Sequence, residues 1–191
     1  TGTITNIEGG TLDLTNSEGG SFGTVDAATQ LDLDNAGTIT GSVTAAGGDD
    51  TINNSGIILG DVVMGDGFNQ LTNDSAIFGN VYGGSGVDAV TNNSQIGSYG
   101  NTVEINLYDG DNTVLLSNSN TYANITLGSG ADTVTNTNAF VDGNIALGDG
   151  FNQLNNNNSN ITGDITGGSY SETIDNAGNI YGGVNFYGSS G

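Results

Sequence analysis

Gly128–Leu147 reads GSGADTVTNTNAFVDGNIAL, and the next two stretches repeat it as GDGFNQLNNNNSNITGDITG over Gly148–Gly167 and GSYSETIDNAGNIYGGVNFY over Gly168–Tyr187. The unit is Gly-x-Gly-x-Asp/Asn, then an aliphatic, a marker Asn two residues later, an apolar position four beyond that, and a closing Val or Ile. Self-similarity at a fixed period near twenty residues is the mark of a solenoid. Asn16, Asn35, Asn54, Asn73 and Asn92 are spaced nineteen apart, and Asn136, Asn156 and Asn176 twenty apart. Each follows an aliphatic by two: Leu14, Leu33, Ile52, Leu71, Val90, Val134, Leu154 and Ile174. Ile39, Ile58, Ile77, Ile96, Phe140 and Ile180 form a second apolar series, and Val25, Val43, Val62, Val81, Ile125, Ile145, Ile165 and Val184 a third.

The period breaks once. Asn92 and Asn136 are forty-four apart, so either Leu116 takes the Asn position or Asn118 does after a two-residue slip. Gly97–Thr102, GSYGNT, reads as an inserted loop. Thr1–Gly9 reads as the end of an incomplete unit with Asn6 as its marker. The count is about nine coils of 19–20 residues in a single domain, 1–191.

Locally, Asp132, Val134 and Asn136 alternate with Thr133 and Thr135, a strand pattern of period two. Glycine punctuates the corners, proline is absent, and no segment has a helical period. Short strands on a fixed coil length predict an all-β fold, a right-handed parallel β-solenoid with coils about 4.8 Å apart. One coil cannot bury its own apolar side, so the three aliphatic series are expected to form the core by stacking. The marker Asn lies two residues after an inward aliphatic, so the column Asn16, Asn35, Asn54, Asn73, Asn92, Asn136, Asn156 and Asn176 should point inward and bond amide to amide, coil to coil.

Composition narrows function. The chain has no Lys, Arg, His or Cys and a net charge of −21. That removes Ser-His-Asp and thiol catalysis, ordinary zinc sites and Schiff bases. Nothing neutralises phosphates, so nucleic acid is not an expected partner, and an anionic membrane would repel the chain. No run approaches the length of a membrane helix. Thr1 reads as a mature or excised N-terminus. Absence of trypsin-type cleavage sites, with richness in Asn, Thr, Ser and Gly, suits a secreted protein at the cell surface. Sequons at Asn53, Asn73, Asn92, Asn124, Asn157 and Asn160 are mostly what chance supplies in such a composition.

Units such as GGDDTINNSGIILGDV, Gly47–Val62, resemble the β-helical passenger repeats of bacterial autotransporters and filamentous adhesins. That resemblance implies a secreted rod with a structural or adhesive role. The corner Gly83-Gly84-Ser85-Gly86-Val87-Asp88-Ala89-Val90-Thr91 is similar to the calcium-binding nonapeptide of RTX proteins, and Gly128–Val134 matches most of it. The likeness implies calcium at one corner of each coil, held by Asp50, Asp66, Asp88, Asp111, Asp132 and Asp149 with amide and backbone oxygens, the hard ligands calcium takes. The alternative is that the acids shift position from coil to coil only to reduce repulsion between neighbouring carboxylates.

These readings point to a subunit of an extracellular filament, surface layer or matrix that self-associates head to tail. An adhesin that meets surface glycans through Tyr82, Tyr108, Phe68, Phe151, Tyr181 and Tyr187 is the second reading. A polysaccharide-cleaving enzyme using Asp49/Asp50 or Asp109/Asp111 is a remote third, because such enzymes need cations that are missing here.

Overall fold

The computed structural model describes residues 2–6 and 9–187. It is all-β, and its sheet pairings are parallel throughout. Each coil carries up to three short strands, and equivalent strands of successive coils pair into three ladders. The first is a ten-stranded sheet from Ile4–Asn6 to Val184–Phe186. The second starts at Leu12–Asn16 and the third at Ser21–Phe22, and they join where Gln153–Ile161 and Thr173–Ile180 run through both. The result is a three-sided rod of about ten turns, the first represented by a single strand. By the spacing of paired strands it is roughly 43 Å long.

The aliphatic series stack as their spacing requires. Leu14 pairs with Leu33, and Ile52, Leu71, Val90, Val114, Val134, Leu154 and Ile174 follow in register. Val25, Val43, Val62 and Val81 continue through Ile105 and Ile125 to Ile145, Ile165 and Val184. Away from the two terminal coils these side chains are fully buried.

The break resolves into two events. Asn92 pairs with Leu116, which pairs with Asn136, so Leu116 and not Asn118 occupies the Asn column. The twenty-four residues from Asn92 to Leu116 hold the insertion at Gly97–Thr102, where Ser98 and Asn101 close a tight turn and Tyr99 stands 87% exposed. The later period of twenty has a different origin. Asn118, Asn138 and Asn158 adopt φ of 51°, 50° and 49°, a left-handed conformation that Asn tolerates. Each adds one residue at the corner between the second and third ladders. The extra residue reverses the inward-outward parity beyond it, so Val141 and not Phe140 is buried. Phe140 lies on the outer surface beside Tyr122, ring centroids 6.1 Å apart. A second correction concerns Asn6, which pairs with Ala27 in the first ladder and so lies outside the Asn column.

Glycine is required at the corner before the second ladder. Gly67, Gly86, Gly110, Gly130 and Gly150 hold φ between 122° and 143°. A Cβ on any of them would strike the carbonyl oxygen of the glycine one coil earlier.

Candidate functional site

Two buried polar columns run along the rod, one at each end of the second ladder. The first is the predicted Asn ladder. Asn16 donates from Nδ2 to Oδ1 of Asn35 at 2.7 Å, and Asn35, Asn54 and Asn73 repeat the bond to the next coil at 2.7–2.8 Å. Asn136 to Asn156 and Asn156 to Asn176 follow at 2.9 and 2.7 Å. Seven of the eight are buried, while Asn176, in the last coil, is exposed. Leu116 interrupts the column. Asn92 therefore donates sideways to Oγ1 of Thr121 at 3.0 Å, and Oδ1 of Asn136 has no partner. Thr121 stands where neighbouring coils place Ile96 and Val141, so this coil exchanges the polarity of two inward positions. The sequons at Asn73 and Asn92 belong to this interior column.

The second column lies at the Gly-x-Gly corner, where calcium was expected. Its inward position runs Asp50, Asn69, Asp88, Asn112, Asp132, Asn152, a strict alternation of acid and amide, and all six are buried. Each staples the coil before it. Leu31 N donates to Asp50 Oδ1 at 2.6 Å, Asp50 N to Asn69 Oδ1 at 3.0 Å and Asp88 N to Asn112 Oδ1 at 2.8 Å. Asn112 N donates to Asp132 Oδ1 at 2.7 Å and Asp132 N to Asn152 Oδ1 at 2.9 Å. Asn69, Asn112 and Asn152 also turn Nδ2 onto the carbonyl four residues earlier, at 2.9, 3.3 and 3.3 Å. A carboxylate has no such donor. Oδ2 of Asp50 and of Asp132 is buried without a partner, while Asp88 Oδ2 accepts from Gly84 N at 3.2 Å.

Burial disfavours the ionised form of these acids. It pushes Asp50 from 3.8 up to about 6, against the bond from Leu31, with the charges of Asp49 and Asp88 adding to the rise. Asp132 rises to about 6 for the same first reason, with Asp111 and Glu172 contributing. Asp88 is also raised by burial, opposed by bonds from Asn69 and Gly84.

The other three expected calcium ligands face outward. Asp66 accepts from Ser85 N and Oγ at 2.8 and 2.7 Å, which lowers its pKa. Asp111 accepts from Ala131 N and Asp149 from Ser169 N, each at 2.8 Å. Of the six residues, three thus point into the rod and three away from it. Among the described residues no three acids come together in a group able to hold a metal ion.

The acid pairs considered for catalysis are differently placed. Asp49 is exposed beside buried Asp50, and Asp109 and Asp111 are each engaged with the next coil, through Ser129 and Ala131. A shallow groove of about 490 Å³ near Gly10, Thr29, Gln30 and Gly48 is lined by small and neutral side chains. None of the aromatics proposed as a glycan platform fills the core: Phe151, Tyr181 and Tyr187 are 68–71% exposed, Phe68 and Tyr108 about half, and Tyr82 is half-buried. Comparison of the chain with family models, with curated proteins and with solved structures finds no match.

Proposed function

We propose that the protein is a structural subunit of an extracellular filament, surface layer or matrix, and that its coils continue from one copy to the next. One observation carries this reading. Successive coils offer one another the same rung, with Leu33, Ile52, Leu71 and Val90 stacked in register, so each coil already serves as the template for the next. A rung with unpaired backbone groups and uncovered aliphatics is a template for another rung. A head-to-tail contact of this kind does not close, so it propagates. The charge of −21 and the absence of Lys and Arg suit a secreted location. Calcium enters as a counter-ion on the exposed acids Asp66, Asp111 and Asp149, lowering repulsion between copies.

The test is light scattering against concentration, with and without calcium. The intact chain should grow in multiples of 19.1 kDa, and Val184→Asp with Phe186→Asp should remain a single copy. An intact chain that stays monomeric at high concentration in calcium overturns the reading. A second reading, a glycan-binding rod, draws on the exposed Phe151–Tyr170 pair, centroids 5.5 Å apart. Glycan-array binding lost in Phe151→Ala would favour it.

A further inference from the structure

The acids are unevenly spread over the three sides. The outward positions of the first ladder carry Asp26, Asp61, Glu104 and Asp164, and those of the second Asp13, Asp32, Asp34 and Asp175. The third ladder carries one, Asp142, which accepts a bond from Thr162 Oγ1 at 2.8 Å, and Asp74 stands exposed at its border with the second, held by Asn93 Nδ2 at 2.8 Å. The same side carries a row of uncovered apolar residues. Ile57 is 38% and Leu59 47% exposed, and Phe78, Tyr122 and Phe140 are partly so. Tyr99 leans from the inserted loop onto Tyr122, ring centroids 6.4 Å apart.

We infer that the third side is a self-pairing surface on which a second copy of this chain lies antiparallel, the two rods related by a twofold axis at Gln95. Charge selects the occupant. Two chains of −21 repel wherever their acids face each other, and this side brings the fewest together. A cationic partner would instead be drawn to the acidic corner and to the other two sides. The strip is also self-complementary about Gln95. Ile57 lies two coils to one side and Phe140 two coils to the other; Phe78 and Tyr122 lie one coil to either side. Antiparallel pairing sets Ile57 against Phe140 and Phe78 against Tyr122, and brings the two Tyr99 rings to the same rim. Asp142 selects the direction. In a parallel pair the two Asp142 side chains would lie at the same level. In the antiparallel pair they are roughly 19 Å apart by coil spacing, well beyond the screening length of about 8 Å at physiological salt. The strip is roughly 20 Å long and only a strand-end wide. That places the contact at the small end of specific interfaces, a weak pair that strengthens with salt.

A twofold contact uses the same patch on both copies and stops at two. It therefore separates from end-to-end growth, and the experiment uses Val184→Asp/Phe186→Asp as background so that stacking does not contribute. The chain has no cysteine, so one introduced thiol reports one position. Gln95→Cys should form a disulfide-linked dimer under mild oxidation at least tenfold faster than Thr126→Cys, which lies outward on the first side. Adding Leu59→Asp should remove that advantage without lowering the melting temperature. Sedimentation of the cysteine-free background should show a dimer that increases from 0.05 to 0.5 M salt. Equal cross-linking at Gln95 and Thr126, indifference to Leu59→Asp, or a monomer at every salt concentration would overturn the proposal.

Discussion

The amide column from Asn16 and the corner column from Asp50 occupy equivalent places at the two ends of the same ladder, yet they satisfy their polar atoms differently. An Asn carries both a donor and an acceptor, so identical residues form a chain in which each donates to the next. The corner column instead mostly presents acceptors to backbone amides, a task that Asp and Asn both perform, and only Asp88 takes the side-chain amide of Asn69 in its place. They differ in the second side-chain atom. In Asn69, Asn112 and Asn152 it donates to a carbonyl. In Asp50 and Asp132 it is an unpartnered oxygen that burial prefers protonated. One column thus tolerates a titratable group and the other does not.

The largest effect should come from placing the corner's chemistry in the ladder. Asn73→Asp removes the donor to Asn92 and buries an anion, and should cost about 3–5 kcal/mol at pH 7 by chemical denaturation. A loss below about 1 kcal/mol would show that the columns are interchangeable.

The reverse exchange should stabilise. A folded-state pKa near 6 against 3.8 when unfolded means that the native state binds the proton more tightly. The penalty at Asp50 and Asp132 is therefore absent below about pH 4, grows as pH rises through 6, and is complete above it. Asp50→Asn and Asp132→Asn should each gain about 1–2 kcal/mol at pH 7, after allowance for solvent screening at a corner, and nothing at pH 4. Melting curves of wild type and double variant that differ equally at both pH values would refute the assignment.

The smallest effect is expected at Leu116→Asn, which rejoins the ladder. Two bonds along the ladder replace the one from Asn92 to Thr121, a net gain of about 1 kcal/mol that only partly offsets the loss of a buried Leu, so stability should fall by about 1 kcal/mol. Hydrogen exchange at Asn136 should nevertheless slow.

Most of the fold could be read from the sequence because coil length and side-chain parity are both written in it. Leu14, Leu33 and Ile52 announce a column by spacing alone. Parity failed at Phe140, because one Asn in a left-handed conformation, Asn138, adds a residue without changing the composition of the repeat. The corner acids were readable as a set, and parity also tells which of them turn inward. Asp132 lies two residues before Val134, and the parity that sends Val134 inward sends Asp132 inward too. A nonapeptide likeness, attending to residue type, drew Asp50, Asp88 and Asp132 together with Asp66, Asp111 and Asp149, which face the other way. The third side could not be found, since Ile57 and Leu59 look like core residues until the ladders are aligned.

A stack of near-identical coils has a registration problem: any rung fits almost as well one place too high or too low. The coil from Val90 to Val114 is the exception, twenty-four residues long with Leu116 and Thr121 exchanging polarity just beyond it. A nascent chain that slips by one rung there would part Asn92 from Thr121, the hydroxyl that takes its amide, and set the inserted turn beside a coil built without one. The irregular coil therefore acts as an index mark, giving a repetitive polymer one address from which the rungs before and after it are counted.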